Sequence, residues 1–309
     1  MVIPVRNDFL MLNNCLKDIK NQTINNYEII FVDDGSKDDT HYLLEKASSY
    51  DPRIRVIRTE RNGIISALNI GLGECKGDFI ARMDADDRMK NTRFENQMKF
   101  LQKNNELDLI GCKVEGFSEK GTISESILKY QSWNNSLITH KQIERDLFAE
   151  SPIIHPTFFA KRELFVNLGG YVNNNWAEDY DLILRAYGIG AKFGKYPDTL
   201  LYKYHSIDRL SRKDNIYKRP AMFEAKVNYL LEFGKLNNRT GVLIIGSGPT
   251  GKQVAKSFEK RRVIILGFID NRQGSINRTI KKWPAWGFPN LPSPKFLEDF
   301  RDSLIILAI

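Results

Sequence analysis

Short apolar segments alternate with helical segments along the first ninety residues, and this alternation restricts the fold more than any other feature. Four apolar runs have the length of buried strands, at residues 2–5, 27–32, 54–58 and 79–83. Segments with helical spacing follow the first three runs, at residues 9–20, from Asp38 onward, and at 64–72. Strands that alternate with helices form a parallel sheet covered on both faces. The sequence therefore predicts an α/β fold.

Acidic residues follow two of these predicted strands. Asp33 and Asp34 come at the end of the second strand, and Asp84 and Asp86 follow the fourth within the sequence RMDADD. Ligands of open α/β sheets bind beyond the carboxyl ends of the strands. We therefore expect these carboxylates, together with Pro4 at the end of the first strand, to surround one crevice.

The spacing of Asp84 and Asp86 suits a metal ion. Alternate side chains of an extended segment point the same way, so the two carboxylates would project together. Hard oxygen ligands of this kind suit Mg²⁺ or Mn²⁺, and diphosphate oxygens can fill the remaining positions. An isolated Asp-x-Asp is more often a solvated turn. The other motifs of the sequence are therefore needed to distinguish a metal site from a solvated turn.

The positive charge of the sequence limits the binding partners that we expect. The formal net charge is +8, and the stretch from Lys203 to Arg239 holds nine Lys or Arg against four Asp or Glu. This stretch lacks a recognition-helix or aromatic RNA-binding pattern, so we expect no nucleic acid partner. A basic face suits phosphate on a nucleotide or on an anionic membrane.

The sequence favours a cytoplasmic protein. Its three cysteines are scattered, it shows no leader, and no apolar run approaches the ~20 residues that a membrane span needs. We expect at most a peripheral position at the inner face of the membrane.

Seven short motifs occur in a characteristic order. They are IPV at 3–5, VDDGS at 32–36, SALNIGL at 66–72, MDADD at 83–87, HPTFF at 155–159, GGY at 169–171 and AEDYDLILRA at 177–186. Together they resemble family 2 glycosyltransferases of the GT-A fold. The resemblance covers residues 1–210 and implies a mixed, mainly parallel sheet flanked by helices.

The same resemblance implies an inverting, metal-dependent transfer of a sugar. The donor would be a nucleotide-diphosphate sugar, most simply a UDP-sugar. The acceptor would be a hydroxyl of a glycan or lipid-linked acceptor in bacterial surface polysaccharide synthesis. The particular sugar, acceptor and linkage do not follow from the sequence.

The resemblance assigns the donor nucleotide to residues at the strand ends: Pro4, Val5, Asp33, Asp34 and Asp84. Asp34 would accept hydrogen bonds from the base or the ribose. A strand-to-helix turn with a helix cap also explains the Asp33–Ser36 segment.

Asp86 and Asp84 match the metal ligands of the family, with Asp86 as the direct ligand. His205 stands where the family often carries a histidine near the metal or diphosphate. A surface histidine without such a role is the alternative.

Asp179 matches the catalytic base, which takes the proton of the acceptor hydroxyl, and Glu178 would orient the acceptor. Both residues start a helical pattern, so a helix cap is the alternative. The helix dipole would hold Asp179 ionised.

His155 belongs to a segment that faces the sugar or acceptor in the family, although it could be only a turn residue. Trp176 could stack on a sugar ring or belong to the core.

The last part of the chain follows a different pattern. A basic helical connector is expected at residues 211–239, and residues 240–309 read as a strand, a Gly-rich turn, a helix and a strand that ends at Asp270. Gly246, Gly248 and Gly251 in the turn fit a Rossmann-like nucleotide site, which would hold a dinucleotide or a nucleotide sugar. The unit is too short for a complete doubly wound sheet. It also resembles the N-terminal domain of bacterial sugar acyltransferases.

Two other functions follow from this second unit. An NAD-dependent oxidoreductase would use the Gly-rich turn but would leave the acidic clusters without a role. A nucleotide-sugar-binding scaffold with a degenerate site is disfavoured, because Asp84, Asp86 and Asp179 are all present.

Overall fold

The computed structural model describes residues 1–118, 122–205, 214–271, 278–287 and 300–308. The chain divides into two compact units, Met1–Asn174 with Glu178–Leu210, and Asn175–Ala177 with Ser211–Ile309. Residues 206–213, where the expected connector begins, lie outside the described residues. Within the described ranges, no helix combines the length and apolar character that crossing a bilayer requires.

The first unit begins with three parallel strands in the order β1–β2–β3. They are β1 (Val2–Val5), β2 (Ile29–Asp34) and β3 (Ile54–Thr59). The helices between and after them are α1 (Phe9–Lys20), α2 (Thr40–Tyr50) and α3 (Ile64–Glu74). Every residue of β2 is buried, as expected for a central parallel strand covered on both faces.

A second sheet of the same unit has the order β4–β7–β6–β8–β5. Its strands are β4 (Phe79–Ala81), β5 (Arg88–Met89), β6 (Leu109–Phe117), β7 (Phe159–Lys161) and β8 (Phe193–Tyr204). Strands β6 and β8 run parallel, whereas β7 is antiparallel to both β4 and β6. The fold is therefore a mixed α/β architecture, which confirms the predicted class.

Among the described residues of this unit, five further helices follow α3. They are α4 (Arg93–Lys103), α5 (Glu125–Ser136), α6 (His140–Asp146), α7 (Arg162–Leu168) and α8 (Glu178–Gly188). The fourth predicted strand is shorter than expected, because residues after Ala81 leave the ladder. The Arg82 N–H donates to the Phe158 carbonyl, and a single bridge pairs Arg82 with Val2. The chain is thereby guided from the second sheet toward β1.

The second unit has its own sheet, in the order β11–β12–β10–β9–β13. Its strands are β9 (Gly241–Ile245), β10 (Ile265–Asp270), β11 (Arg278–Ile280), β12 (Trp283–Gly287) and β13 (Ser303–Leu307). All adjacent pairs are parallel except β11–β12. Helices α9 (Arg219–Glu232) and α10 (Pro249–Lys260) belong to this unit. Its apolar core includes Val242, Phe258 and Phe268.

Candidate active site

Three aspartates gather where β4 leads into β5. Carboxylate oxygens of Asp84, Asp86 and Asp87 lie within 4.8 Å of one another. They meet through a turn rather than through an extended segment, because the Asp87 N–H donates to the Asp84 carbonyl at 3.3 Å. The turn explains why Asp87 joins the predicted pair, which strand alternation alone could not indicate.

This donor set fits a divalent cation. All three side chains offer carboxylate oxygens, the ligands that Mg²⁺ and Mn²⁺ prefer, and two of them are only half-buried. The roles of Asp84 and Asp86 as metal ligands stay predictions, and Asp87 is a third candidate that was not predicted from the sequence.

Positive charge surrounds the acidic turn. Arg82 Nη2 lies 2.6 Å from Asp84 Oδ1, and Lys203 Nζ lies 3.7 Å from Asp84 Oδ2 and 3.9 Å from Asp87 Oδ2. The Tyr204 N–H also donates to Asp87 Oδ1 at 2.8 Å. The end of β8 therefore holds two of the three carboxylates in position.

His205 follows directly after β8. Its backbone N–H donates to the Phe117 carbonyl at 2.8 Å. Its ring packs against Gly116, because a Cβ added at Gly116 would lie 2.9 Å from the His205 Cδ2. Among the described residues, the possible metal-ligand atoms that lie within 4.8 Å of one another belong to Asp84, Asp86 and Asp87, and this group does not include His205. A role of His205 at the metal or diphosphate stays a prediction.

The strand ends expected to hold the nucleotide adjoin one another. Pro4 pairs in register with Val32, and Val5 with Asp33. The Ser36 N–H donates to Asp33 Oδ1 at 2.9 Å, and His41 Nδ1 lies 3.2 Å from Asp33 Oδ2. Asp33 thus shapes the turn between β2 and α2.

Asp34 shapes the neighbouring turn. Its carboxylate accepts from the Asn62 N–H at 2.7 Å and from the Gly63 N–H at 3.0 Å. Both aspartates are buried. Their part in nucleotide binding stays a prediction, and the structure shows that they form the turns after β2 and before α3.

Glu178 and Asp179 occupy the first turn of α8. Burial raises the pKa of Asp179 above its ordinary value, although the Tyr180 N–H and the charge of Arg82 oppose the rise. We expected the helix dipole to hold Asp179 ionised, whereas burial favours its protonated form. A raised pKa makes Asp179 a stronger base, which general-base catalysis requires.

Glu178 lies beside a buried histidine. His155 Nδ1 is 3.6 Å from Glu178 Oε1, and His155 Nε2 is 2.7 Å from the Tyr171 hydroxyl. Burial lowers the pKa of His155 well below its ordinary value, and the charge of Arg82 acts in the same direction. His155 is therefore a neutral imidazole that links Tyr171 to the start of α8.

The SALNIGL and GGY motifs hold Tyr171 in place. Asn69 donates through Nδ2 to the Tyr171 carbonyl and accepts from the Tyr171 N–H, both at 2.8 Å. Gly170 has a φ of +74°, and a Cβ there would lie 2.5 Å from Asn69 Oδ1. Arg185 of α8 donates to the Gly170 carbonyl at 2.9 Å. Sequence reasoning gave these residues no role.

One buried arginine joins the two sides of the site. Arg93 Nη2 donates to the Arg82 carbonyl at 2.8 Å and to the Pro156 carbonyl at 2.7 Å. The segment that carries the acidic turn is thereby tied to the segment that carries His155.

The other predicted residues belong to the second unit. The Trp176 ring meets the Tyr229 ring edge-on at 6.3 Å. In the Gly-rich turn, Gly246 has a φ of +100° and Gly248 caps α10. A Cβ on Gly251 would lie only 1.9 Å from the Gly246 carbonyl oxygen, so only glycine fits there.

Asp270 already has partners in this turn. Its Oδ2 accepts from the Ser247 N–H at 2.7 Å and from the Ser247 hydroxyl. A ribose would have to share this carboxylate with the turn. Ligand binding at Gly246, Gly248, Gly251 and Asp270 stays a prediction.

Comparison with known families decides the class of the first unit. Residues 1–169, more than half of the chain, match the family model described as glycosyl transferase family 2. The chain belongs to glycosyl transferase family 2. Membership of family 2 confirms the resemblance that the ordered motifs indicated.

Relatives of this family 2 chain include bacterial proteins. It is 34% identical over 200 residues to an uncharacterized glycosyltransferase of Haemophilus influenzae, covering 63% of the chain and 61% of that relative. It is 28% identical over 231 residues to the Escherichia coli UDP-Gal:alpha-D-GlcNAc-diphosphoundecaprenol beta-1,3-galactosyltransferase, covering 74% of the chain and 80% of the relative.

A solved structure shares the fold. S. aureus TarS 1-349, in complex with UDP-GlcNAc, superimposes with a TM-score of 0.59 at 18% identity, covering 74% of the family 2 chain and 65% of TarS 1-349. At this identity the likeness concerns the fold alone.

Proposed function

We propose that the chain is an inverting, metal-dependent glycosyltransferase that moves a sugar from a UDP-sugar to a hydroxyl of a glycan or lipid-linked acceptor in bacterial surface polysaccharide synthesis. The observation that carries this proposal is the grouping of Asp84, Asp86 and Asp87 beside two cations, Arg82 and Lys203, whose charge also reaches Asp179. The name of the E. coli relative, which specifies UDP-Gal and a diphosphoundecaprenol acceptor, supports a UDP-sugar donor and a lipid-linked acceptor.

The residues divide the work between donor and acceptor. Pro4, Val5, Asp33 and Asp34 would line the nucleotide pocket at the strand ends. Asp86 and Asp84, with Asp87, would hold Mg²⁺ or Mn²⁺, which when bound neutralises charge on the diphosphate.

On the acceptor side, Asp179 takes the hydroxyl proton while the acceptor oxygen forms a bond to the anomeric carbon. The bond from that carbon to the diphosphate oxygen breaks on the opposite face, and its electron pair leaves with the nucleoside diphosphate. Attack from the opposite face inverts the anomeric configuration. Glu178, held beside His155, orients the acceptor.

Replacement of the proposed base gives the sharpest test. Asp179→Asn keeps the size of the side chain but cannot take the proton, so we expect UDP release from a panel of UDP-sugars with Mn²⁺ and a glycan acceptor to fall about 10²–10⁴-fold. Asp198→Asn, on the exposed part of β8, is the matched control and should leave the rate unchanged. Equal rates in the wild type and Asp179→Asn would remove Asp179 from the mechanism.

For the second unit we propose a nucleotide or nucleotide-sugar ligand at the Gly-rich turn before α10. The close approach of Gly251 to Gly246 and the open N-terminus of a twelve-residue helix support this proposal. The hydrogen bonds that Asp270 already makes argue against the usual dinucleotide arrangement.

A further inference from the structure

Positive charge is concentrated in the second unit. Residues 211–309 hold eighteen Lys or Arg against eight Asp or Glu, whereas residues 1–210 hold twenty-eight against thirty. The excess that gives the chain its net charge of +8 therefore belongs to the second unit. A charge excess confined to one unit indicates an anionic partner for that unit.

The positive side chains gather where the strands of this unit begin. Strands β9, β10, β12 and β13 run parallel, so their amino ends share one edge of the sheet, opposite the Gly-rich turn. Two backbone hydrogen bonds join neighbouring segments along this edge. The Thr240 N–H donates to the Asp302 carbonyl at 2.8 Å, and the Val242 N–H donates to the Ile264 carbonyl at 2.9 Å. The connections that lead into these strands therefore lie side by side.

The described parts of these connections carry seven basic residues and one acidic residue. They are residues 233–240 before β9, 261–264 before β10, 281–282 before β12 and 300–302 before β13. We name their cations the basic edge, which consists of Lys235, Arg239, Arg261, Arg262, Lys281, Lys282 and Arg301. All of these residues except Arg261 are exposed, so a partner can reach them.

Nearby carboxylates neutralise part of this charge. Glu224 of α9 lies 2.5 Å from Arg261 Nη1, and Glu259 of α10 lies 2.5 Å from Lys282 Nζ. Asp302 is the acidic residue of the connections themselves. The basic edge therefore keeps an excess of positive charge over these three carboxylates, and this excess faces solvent.

An exposed isoleucine accompanies these cations. Ile264 stands two residues after Arg262 and is 64% exposed. The exposed large apolar residues in the described part of the second unit are Ile264, Ile305 and Leu307, and none of them has an aromatic ring. Single-stranded nucleic acids are bound through aromatic side chains on which the bases stack. Cations beside an aliphatic side chain instead suit a membrane interface, where the cations meet lipid phosphates and the apolar group enters the headgroup region.

We propose that the basic edge docks the second unit on a membrane rich in anionic phospholipids, with Ile264 inserted among the headgroups. The inference goes beyond the proposed function and does not depend on it, because docking needs neither a sugar donor nor a metal ion. The basic stretch noted in the sequence, residues 203–239, contributes Lys235 and Arg239, and the other five cations come from later segments. Because the Gly-rich turn lies at the opposite edge of the sheet, docking leaves that turn open to a ligand.

Paired substitutions test where the charge acts. The wild type should bind vesicles of phosphatidylcholine with about 40% phosphatidylglycerol, and Arg262→Gln with Lys281→Gln should lower the vesicle partition coefficient about tenfold or more. Lys46→Gln with Lys129→Gln, at exposed positions of the first unit, removes the same charge and should lower the coefficient less than about threefold. Co-sedimentation in about 0.1 M NaCl measures all three proteins. Equal losses in the two pairs would overturn the inference, because net charge alone would then explain binding.

Ile264→Ser tests the apolar contact without a change of charge. Loss of the isoleucine from the interface should lower the partition coefficient on the same anionic vesicles about threefold or more. An unchanged coefficient would contradict the assignment to a membrane.

Measurements on the wild type keep the inference testable if the variants do not fold. Binding should be absent on pure phosphatidylcholine and should be lost as NaCl is raised to about 0.5 M. An excess of single-stranded RNA should leave the protein on the anionic vesicles. Equal binding to both kinds of vesicle, or complete release by the RNA, would overturn the proposed membrane docking.

Discussion

At the scale of single residues, Lys203 stands out because it neutralises the carboxylates that would hold the metal. Its Nζ lies 3.7 Å from Asp84 and 3.9 Å from Asp87. Lys203→Met should therefore raise the affinity of the protein for Mn²⁺ about three- to tenfold, because one repulsive charge leaves the site. Mn²⁺ titration followed by electron paramagnetic resonance measures this without any substrate. Lys46→Met, on the exposed face of α2, should leave Mn²⁺ affinity as in the wild type.

The raised pKa of Asp179 predicts an effect on stability as well as on rate. Because the folded state holds the Asp179 proton more tightly than the unfolded chain, ionisation of Asp179 costs folding free energy once the pH rises above its ordinary pKa of 3.8. Asp179→Asn should therefore raise the free energy of unfolding at pH 7, and this advantage should shrink as the pH falls toward 4. Urea unfolding at the two pH values measures it. A destabilised Asp179→Asn at pH 7 would show that burial does not strain this carboxylate.

At the scale of elements, the loop before α8 depends on a residue of α3. Asn69→Ala removes both hydrogen bonds to the Tyr171 backbone, so we expect a loss of about 1–3 kcal/mol in the free energy of unfolding and a lower transfer rate. Chemical denaturation and UDP release measure the two effects. Asn228→Ala on α9, where the amide donates to exposed Glu232, should change neither by much.

Some elements could be predicted from local pattern and others could not. Helix α1 begins and ends where its apolar spacing predicts, because Leu12, Cys15 and Ile19 form one buried stripe. The strand ends at Asp33 and Asp34 were also expected, although β2 includes both residues. The antiparallel pairing of β7 with β4 and β6 depends on contacts between distant segments, which periodicity does not encode. Likewise, Asp87 joins the metal candidates only because the chain turns after Asp84.

At the scale of the whole molecule, the two units have separate apolar cores. We therefore expect two transitions in calorimetric unfolding, and UDP with Mn²⁺ should raise the Tm of only one of them. Phe258→Ala removes a large buried side chain of the second core and should lower the Tm of the other transition.

NAD offers a further comparison, because a rise in Tm with NAD but not with UDP would favour an oxidoreductase. A single transition displaced by both treatments would show that the units unfold together.

Arg93 has a consequence for how this site can change over generations. The Arg93 side chain donates to the carbonyls of Arg82 and Pro156, so the separation between the acidic turn and the His155 segment is set inside the protein. Exposed connections can then be exchanged or lengthened to admit a different acceptor while the reacting groups keep their mutual spacing. New substrates would be acquired at the rim, and the machinery beneath would be inherited intact.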